Sequence, residues 1–255
     1  MKTLTSARNP VLKDVRKAIL RGSLTEQGYC VAEGFHLLEE ALRSGCDVSA
    51  VLVSEAAQGA LESRFGTLLD VSLLPENLFR DIAATETSQG VIALVKPPEH
   101  SYQQIFEGRA LVPILDGIQD PGNAGAILRA AEAFGATGVV FLKGSVNPYN
   151  PKALRASAGS IFRVPLALMD DQQMLAAVDQ YALELFALMP DGTLLLGDCP
   201  FDRNCAIVIG NEGRGVSESL RKRSVQLRVP SLGVESLNAA MAATVALYEA
   251  RRQRT

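Results

Sequence analysis

Residues 111–136 read LVPILDGIQDPGNAGAILRAAEAFGA, and this stretch by itself predicts the class of fold. It begins with an apolar run of strand length, turns through the tripeptide DPG, and continues into a segment of small and apolar residues. We predict a buried strand at Leu111–Leu115 and a helix at Asn123–Phe134 that Asn123 caps. An apolar strand followed closely by a helix is typical of a parallel sheet covered on both faces.

The same alternation of strands and helices continues on both sides of this stretch. Before it, the pattern ends with the apolar run Val91–Val95, which the segment KPPEHSY with its two adjacent prolines cannot continue. After it, apolar strands alternate with helical patterns and end at Leu142, Leu188, Ile209 and Val229. We also predict strands at Leu68–Leu73 and Arg163–Leu166 and a helix at Pro151–Ala158, the last two within the C-terminal domain. We therefore predict an α/β protein in which residues 1–97 form a small α/β sandwich domain and residues 98–255 form a mostly parallel sheet.

The composition excludes several classes of protein. The 255 residues, 47% of them hydrophobic and 21% charged, are enough for a sizeable core. There is no signal-peptide pattern and no apolar run of membrane-spanning length, so we expect a cytoplasmic protein without membrane contact. The four cysteines lack zinc spacing and are interpreted as reduced and buried. With His36 and His100 as the only histidines, a metal site or a Ser-His catalytic pair is disfavoured, and no metal is expected.

The distribution of charge limits nucleic-acid binding to local surfaces. A formal net charge of −3 and the absence of tryptophan exclude a uniformly cationic protein and disfavour an aromatic stacking platform. Basic residues nevertheless concentrate in residues 1–22 and 133–169, and the second stretch contains no acid. A solvated surface is the usual explanation of one short basic run, whereas two separate runs favour local contact with phosphates. The candidates for such contact are Lys13, Arg16, Lys17, Lys143, Lys152 and Arg155.

Three junctions between a strand and a helix carry candidate chemistry, because ligands of parallel sheets bind where strands end. The first junction is DGIQDPGNAGAILR, residues 116–129. Its Arg129 lies in an otherwise small and apolar segment and needs a partner such as a phosphate or carboxylate. Alternatively, Arg129 points to solvent or pairs with Glu132.

The second and third junctions are IGNEGRGVS, residues 209–217, and VPSLGVESLN, residues 229–238. In the second, three glycines surround Glu212 and allow the backbone to approach a ligand closely. The spacing matches neither GxGxxG nor GK[ST], so it supports neither a dinucleotide-binding nor a P-loop site. In the third, Ser236 and Asn238 stand at the start of an alanine-rich helix, predicted at Ser236–Arg252, where capping alone would favour them.

Together these segments resemble the three ordered motifs of the SpoU (TrmH-type) RNA ribose methyltransferases of the SPOUT class. DPGNAGAILRAAEAFGA, IGNEGRGVS and VPSLGVESLNAAMAATVALYEA occur in the family's order and at matching separations, and LRASAGSIFRVP is similar to the family's connecting segment. Residues 9–95, with VAEGFHLLEEAL and ATETSQGVIALV, are similar to the family's accessory RNA-binding domain, which resembles ribosomal proteins that bind kinked RNA. The resemblance covers nearly the whole chain.

The resemblance implies a deep trefoil knot in the C-terminal domain, a homodimer that uses the alanine-rich last helix, and an S-adenosylmethionine pocket. The cofactor contacts that it implies are Ile209, Gly210, Asn211, Gly213, Val229, Pro230 and Leu237. The family's polar active-site positions match Asn123, Arg129, Glu212, Ser236 and Asn238. Val229 stands where isoleucine is frequent in the family, and this exchange keeps an apolar wall.

The implied reaction transfers a methyl group from S-adenosylmethionine to a ribose 2′-hydroxyl, with ribosomal RNA of the 23S type as the expected substrate. The resemblance implies that Arg129 activates the hydroxyl. Because a guanidinium stays protonated, we expect Arg129 to bind a neighbouring phosphate and stabilise the developing alkoxide, while direct base catalysis remains an alternative. Glu212 would hold Arg129 or a substrate hydroxyl.

Three alternatives remain at this point. Transfer RNA is the second candidate for the substrate. A non-catalytic, ribosome-associated RNA-binding protein is the second candidate for the function, and calorimetry with S-adenosylmethionine would distinguish it from an enzyme. A nucleotide-using α/β enzyme is disfavoured because the phosphate-loop spacing is missing.

Overall fold

The computed structural model describes residues 2–66 and 69–255, which form two compact units. Unit 1 comprises the residues up to Glu99 together with Asn147–Phe162, and unit 2 comprises His100–Val146 and Arg163–Thr255. The end of the first part of unit 1 lies two residues beyond the predicted boundary at residue 97. The segment Asn147–Phe162 belongs to unit 1, although the sequence pattern groups it with the C-terminal domain. The assignment of one function to each domain stays a prediction.

Unit 1 contains a mixed sheet. Its strands are β1 (Lys2–Thr3), β2 (Cys30–Glu33), β3 (Val48–Ser54), β4 (Val71–Leu74) and β5 (Val91–Val95). The order across the sheet is β1-β4-β3-β5-β2. The pairs β1–β4 and β3–β4 are parallel, whereas β5 runs antiparallel to both β3 and β2.

Unit 2 contains a parallel sheet. Its strands are β6 (Leu111–Asp116), β7 (Val139–Leu142), β8 (Leu166–Met169), β9 (Glu184–Leu188), β10 (Leu194–Leu195), β11 (Cys205–Gly210) and β12 (Val225–Arg228). The order is β10-β12-β9-β11-β6-β7-β8, and every pair of neighbours is parallel. The chain builds outward from β6 through β7 to β8 and then returns to the other side of β6. A ligand site is expected at such a switch point.

The helices of the first half are α1 (Pro10–Arg21), α2 (Phe35–Arg43), α3 (Gln58–Phe65), α4 (Glu76–Arg80) and α5 (Gln103–Phe106). Those of the second half are α6 (Pro121–Ala133), α7 (Pro151–Ser157), α8 (Asp171–Gln180), α9 (Glu218–Arg221) and α10 (Ala239–Arg254). Short 3₁₀ turns lie at Glu55–Ala57, Ser160–Phe162 and Leu196–Asp198.

Helix α1 shows how local sequence signals set the ends of an element. The Asn9 side chain accepts a hydrogen bond from the Val11 N–H at 2.9 Å, and a proline occupies the first helical position. Gly22 ends the helix in the left-handed conformation, with φ of 60°. The apolar face of α1 packs into a core with residues of the sheet, among them Leu12, Val15, Leu52 and Ile92.

The core of unit 2 lies on its parallel sheet. All six residues of β6 are buried, as the continuous apolar run predicts for a strand covered on both faces. This core is a cluster of buried side chains, separate from the core of unit 1, that joins β6, β7, β9 and β11 to α5, α8 and α9. It includes Phe106, Ile114, Met174, Val208 and Leu220.

The predicted fold class is confirmed: a mostly parallel sheet with helices accompanies a smaller N-terminal α/β unit. The trefoil knot stays a prediction. Helix α6 begins at Pro121, two residues before the predicted start, because Asp120 rather than Asn123 is the cap and accepts the Asn123 N–H at 2.8 Å. Helix α10 begins at Ala239, and Asn238 is its cap, so Ser236 lies before the helix.

Strand boundaries show similar differences. The strand predicted at Arg163–Leu166 is found at Leu166–Met169, where its register with β7 aligns Leu166 with Val139. The strand predicted at Leu68–Leu73 is found at Val71–Leu74, and Leu68 itself lies outside the described residues. The sequence patterns missed the short elements β1, β10, α5 and α9 and the helix α3.

Candidate active site

The carboxyl ends of three neighbouring parallel strands, β9, β11 and β12, border a cavity of about 500 Å³ in unit 2. Its walls come from residues 188–190, from residues 209–215, from the chain between β12 and α10, including Val229, Ser231 and residues 235–238, and from Ala239 and Ala242 in the first turn of α10. A cavity of this size is within the usual range for a small organic ligand. Unit 2 therefore presents a ligand-sized space at the edge of the sheet where ligands are expected.

Residues 210–217, here called the glycine loop, form one wall with a closely packed backbone. A Cβ atom added at Gly210 would lie 2.4 Å from the carbonyl carbon of Gly215, so only glycine fits there. The Asn211 side chain donates to the Gly117 carbonyl at 2.8 Å and accepts from the backbone N–H groups of Gly213 and Arg214, both at 2.9 Å. Asn211 thus fixes the conformation of the loop from within.

The turn that follows β6 holds the other end of the glycine loop. Asp116 is buried, and its Oδ2 accepts a hydrogen bond from the Ser217 N–H at 2.6 Å. The Ser145 hydroxyl donates to the Leu115 carbonyl at 2.8 Å and accepts from the Gly117 N–H at 2.9 Å. A buried carboxylate that accepts a backbone N–H is satisfied and rigid, so Asp116 positions the glycine loop against β6.

A chain of hydrogen bonds joins one polar side chain from each of the three junctions. Asn123 Nδ2 donates to Glu212 Oε1 at 2.7 Å, and Asn238 Nδ2 donates to Asn123 Oδ1 at 3.1 Å. Asn238 Oδ1 also accepts the Ala240 N–H at 2.9 Å as the cap of α10. Both ends of the Asn123 amide are used, and the carboxylate of Glu212 has a defined position beside the cavity.

Most of the residues predicted to contact a cofactor line this cavity. These are Ile209, Gly210, Asn211, Gly213, Val229 and Leu237, and the predicted polar residues Glu212, Ser236 and Asn238 line it with them. Pro230 follows Val229 directly but is not part of the lining. Residues so far apart in the chain meet because the parallel strands end at one edge of the sheet.

Arg129 lies elsewhere on the surface of α6. It follows Asn123 by six residues, which turns its side chain about 120° around the helix axis from Asn123. Arg129 is exposed, and its guanidinium has no hydrogen bond or ion pair with another residue of the described ranges. Glu132, its possible partner from the sequence, pairs with Arg163. Within one chain, Arg129 is therefore a solvent-facing cation outside the cavity wall.

The six candidate phosphate contacts differ in their partners and in their exposure. Three pair with acids: Arg16 with Asp81 at 3.5 Å, Lys17 with Glu26 at 2.9 Å, and Arg155 with Glu33 at 3.7 Å. Exposure is a separate property, which Lys13, Lys143 and Lys152 share with Lys17.

The pair of Arg155 and Glu33 belongs to the interior of unit 1. The Glu33 side chain is 3% exposed, and its carboxylate also accepts from the Ala84 N–H at 2.9 Å and the Thr85 hydroxyl at 2.6 Å. Because a buried carboxylate requires such partners, Arg155 has a structural role in attaching α7 to unit 1.

Sequence reasoning missed two parts of the site. Leu188, Met189 and Pro190 follow β9 and line the cavity, although that junction carries no polar motif. Asp116 is the first residue of the first junction and was not predicted to have a role, yet its carboxylate holds the glycine loop through the Ser217 N–H. The only sequence signal for these two parts was their position, since the segment 188–190 and Asp116 each lie at the carboxyl end of a predicted strand.

Cys30 and Cys205 do not supply a nucleophile. Cys30, Cys199 and Cys205 are buried, Cys46 is half-buried, and none forms a disulfide. Burial raises the pKa of the Cys30 thiol to about 12 and that of Cys205 to about 11, so both are protonated at neutral pH.

The described ranges contain neither a metal-binding cluster nor a helix that could span a membrane. Residues 2–66 and 69–255 contain no group of three or more His, Cys, Asp or Glu side chains placed to hold a metal ion. Nor does any helix in these ranges combine the length and apolar character that crossing a membrane requires.

Comparison with protein families gives two matches. Residues 110–248 match the model of the SpoU rRNA Methylase family, and residues 9–93 match the MRM3-like substrate binding domain. The first match spans most of unit 2 and contains Asn123, Glu212 and Asn238. The second spans the sheet of unit 1 from β2 to β5.

Individual proteins resemble the chain over nearly its full length. The 23S rRNA (guanosine(2553)-2′-O)-methyltransferase RlmP of Bacillus subtilis is 33% identical over 258 residues, with 98% of this chain and 100% of that protein covered. The SpoU methyltransferase AviRb of Streptomyces viridochromogenes, solved with AdoMet, superposes with a TM-score of 0.86, 28% identity, and coverage of 97% and 98%. An AdoMet-bound rRNA methyltransferase from Sinorhizobium meliloti gives a TM-score of 0.81 at 25% identity, with coverage of 98% and 97%.

Proposed function

Because the chain belongs to the SpoU rRNA methylase family, we propose that it transfers a methyl group from S-adenosylmethionine to a ribose 2′-hydroxyl of ribosomal RNA. The observation that carries this proposal is the hydrogen-bonded chain of Glu212, Asn123 and Asn238 beside a cavity of about 500 Å³. The Bacillus subtilis relative is named for 23S rRNA, which supports RNA of that type as the substrate and the cytoplasm as the location.

The cavity suits S-adenosylmethionine in size and in chemistry. Leu188, Leu227 and Val229 offer apolar surface for an adenosyl group, and the backbone of the glycine loop offers polar contacts. The carboxylates of Glu212 and Glu235, which also line the cavity, complement a positively charged sulfonium. When bound, S-adenosylmethionine supplies an electrophilic methyl group.

The protein's own contribution is to orient the attacking hydroxyl. Asn123 holds one oxygen of Glu212 through its amide, which leaves the second oxygen to accept a hydrogen bond from a ribose hydroxyl. Asn238 fixes Asn123, and Asp116 fixes the loop that carries Glu212. Such alignment of reacting groups can contribute about 7–11 kcal/mol to lowering a barrier.

We assign to Arg129 a contact with RNA rather than with the cofactor. A guanidinium group has five N–H donors and no acceptor, so it is unsuited to accept a proton. An exposed guanidinium without an acidic partner can bind a backbone phosphate next to the target ribose, and it can stabilise negative charge that develops on the oxygen.

Single-turnover methylation of 23S ribosomal RNA transcribed in vitro, with labelled S-adenosylmethionine, tests the proposal. We expect the Arg129→Ala variant to react roughly 100-fold more slowly, since losing one charge-stabilising group commonly has an effect of that size. Arg221→Ala, which removes an exposed arginine from α9, is the control and should keep the wild-type rate. A near-normal rate for Arg129→Ala would refute its role, and absence of S-adenosylmethionine binding in calorimetry would refute the enzymatic function.

The surface of α10 supports a homodimer. Met241, Val245 and Tyr248 are 63%, 40% and 56% exposed and recur with helical spacing on one face. An apolar stripe of this kind on a polar surface is typical of a site of association. We propose that two copies of the chain associate through it.

A further inference from the structure

The segment after β7, residues 143–146, holds the chain where β6 ends, although it does not line the cavity of unit 2. The ladder between β6 and β7 includes the pair of Leu115 and Phe141. Beyond this pair, the Ser145 hydroxyl donates to the Leu115 carbonyl at 2.8 Å and accepts the Gly117 N–H at 2.9 Å. One hydroxyl therefore fixes the backbone on both sides of the last residue of β6, since it is donor and acceptor at once.

A tight turn after β7 places Ser145 in this position. The Ser145 N–H donates to the Leu142 carbonyl at 3.0 Å, and Gly144 between them has a φ of 98°, which favours glycine at the third position of such a turn. The next residue adds a backbone contact, since the Val146 N–H donates to the Ile118 carbonyl at 2.8 Å. Because these two N–H groups are bonded, Ser145 has a fixed backbone from which its short side chain reaches β6.

The residue that Ser145 holds is the one that the glycine loop binds. Gly117 has a φ of 72°, and its carbonyl accepts a hydrogen bond from Asn211 Nδ2 at 2.8 Å. The oxygen of the same Asn211 side chain accepts the N–H groups of Gly213 and Arg214. A chain of hydrogen bonds thus leads from Ser145 through Gly117 and Asn211 to the wall of the cavity.

We infer that Ser145 is a positioning residue for the S-adenosylmethionine site. Its hydroxyl keeps the Gly117 carbonyl where Asn211 binds it, and thereby sets the affinity of the cavity for the cofactor. The inference rests on the proposed function, in which this cavity binds S-adenosylmethionine. Because residues 209–215 form one wall of the cavity, a displacement of their backbone changes the shape that the cofactor meets.

Thr137 provides a matched comparison at the other end of β6. Its hydroxyl donates to the Ile105 carbonyl at 2.6 Å and accepts the Leu111 N–H at 3.2 Å. Like Ser145, Thr137 is half-buried, belongs to unit 2 and does not line the cavity. Because the two hydroxyls make the same kinds of bond, we expect the loss of either to cost similar stability. Of the two, Ser145 is the one connected to the glycine loop.

Calorimetry with S-adenosylmethionine and urea unfolding of Ser145→Ala and Thr137→Val test the inference. Both variants should lower the urea midpoint to a similar extent. We expect Ser145→Ala to weaken cofactor binding about five- to tenfold, and Thr137→Val to keep the wild-type affinity. The kcat of Ser145→Ala at saturating cofactor and 23S ribosomal RNA should stay within about twofold of wild type, because Asn123 holds Glu212 independently. Equal cofactor affinities of the two variants would overturn the role of Ser145.

Hydrogen exchange of the protein without cofactor, followed by mass spectrometry, gives a readout that does not depend on binding. In Ser145→Ala, the backbone amides of residues 210–217 should exchange faster than in the wild-type protein, because the Gly117 carbonyl that anchors the loop is no longer fixed. Thr137→Val should keep the wild-type exchange in this segment. Wild-type exchange there in Ser145→Ala would overturn the positioning role.

A double-mutant cycle identifies the path. Asn211→Asp keeps the oxygen that accepts the Gly213 and Arg214 N–H groups but lacks the amide donor to Gly117. Adding Ser145→Ala to Asn211→Asp should therefore weaken S-adenosylmethionine binding no further, whereas fully additive effects would overturn this path. A wild-type protein that does not bind S-adenosylmethionine would instead overturn the proposed function. The exchange measurement still tests the positioning role in that case, so the two failures are distinct.

Discussion

The side chain of Asn123 is free to form contacts in the site because Asp120 caps helix α6 in its place. The sequence suggests it as the helix cap, but Asp120 fulfils that role by accepting the Asn123 N–H at 2.8 Å. The Asn123 side chain is therefore available to bridge Glu212 and Asn238. Because it donates to one and accepts from the other, its amide satisfies both partners with a single neutral group.

We expect Asn123→Asp to fold normally and to lose activity. The substitution places a carboxylate where the amide donor lies 2.7 Å from Glu212 Oε1, and the two negative charges repel. An acid in the first turn of α6 is favourable for the helix, so the melting temperature should hold. Single-turnover methylation should fall roughly 100-fold. Gln119→Glu adds the same charge at an exposed position nearby and should react normally; a variant Asn123→Asp with more than half the wild-type rate would contradict the assigned role.

For single residues, the sequence predicted which side chains belong to the site better than it predicted where those side chains lie. The motifs identified Asn123, Glu212 and Asn238, because polar residues among glycine and alanine at strand ends are conspicuous. They did not indicate that Arg129 is exposed and absent from the cavity lining, since that depends on where the helix begins and how it packs. They also did not reveal that Arg155 pairs with buried Glu33, because no local pattern relates residues so distant in the chain.

At the scale of elements, one side chain anchors the end of α10. The Arg254 guanidinium, near the end of α10, donates to four backbone carbonyls. The distances are 2.7 Å to Phe201, 2.8 Å to Arg109, 2.8 Å to Ala110 and 2.6 Å to Arg203. Burial lowers the pKa of this guanidinium, but it remains charged, so these bonds are charge-assisted. They attach the end of α10 to the start of β6 and to the chain before β11.

We expect Arg254→Ala to destabilise unit 2 by about 2–4 kcal/mol, since partly buried carbonyls would lose their charged donor. Urea unfolding followed by circular dichroism measures this difference. Arg252→Ala is the matched control on the same helix, because Arg252 is exposed and its guanidinium bonds to Glu249 alone among the described residues. Equal unfolding midpoints for the two variants would show that the Arg254 bonds contribute nothing to stability.

Element types were predicted better than element ends. Strand β5 was predicted at its observed bounds, because the glycine before it and the prolines after it mark both limits. The start of α10 was predicted three residues early, since Ser236 and Asn238 both suit a cap and only packing selects between them. Helix α7 was predicted as a helix of the C-terminal domain, but it belongs to unit 1. Its contacts with unit 1 are made by residues distant in the sequence, which a local pattern does not reveal.

For the whole molecule, the exposed apolar face of α10 predicts the state of association. We expect the wild-type protein to elute as a dimer of 27.2 kDa chains, and Val245→Lys to elute as a monomer, because a desolvated charge would oppose the contact. Size-exclusion chromatography with light scattering measures the mass directly. Leu168→Lys replaces a residue that is 62% exposed on β8 and should remain a dimer. A monomeric wild-type protein, or a dimeric Val245→Lys, would contradict this interface.

The division of the chain into units has a consequence for the order in which the protein can be completed during translation. Strands β1 to β5 have all been synthesised by residue 95, yet unit 1 lacks Asn147–Phe162 until translation is well into unit 2. Unit 2 is completed even later, because Arg254 donates a hydrogen bond to the carbonyl of Ala110, which is synthesised 144 positions earlier. A nascent chain therefore carries two unfinished units at once for much of its synthesis, and such chains expose apolar surface to aggregation. Rapid translation, or chaperone binding while residues 95 to 162 are being synthesised, would favour the yield of folded protein.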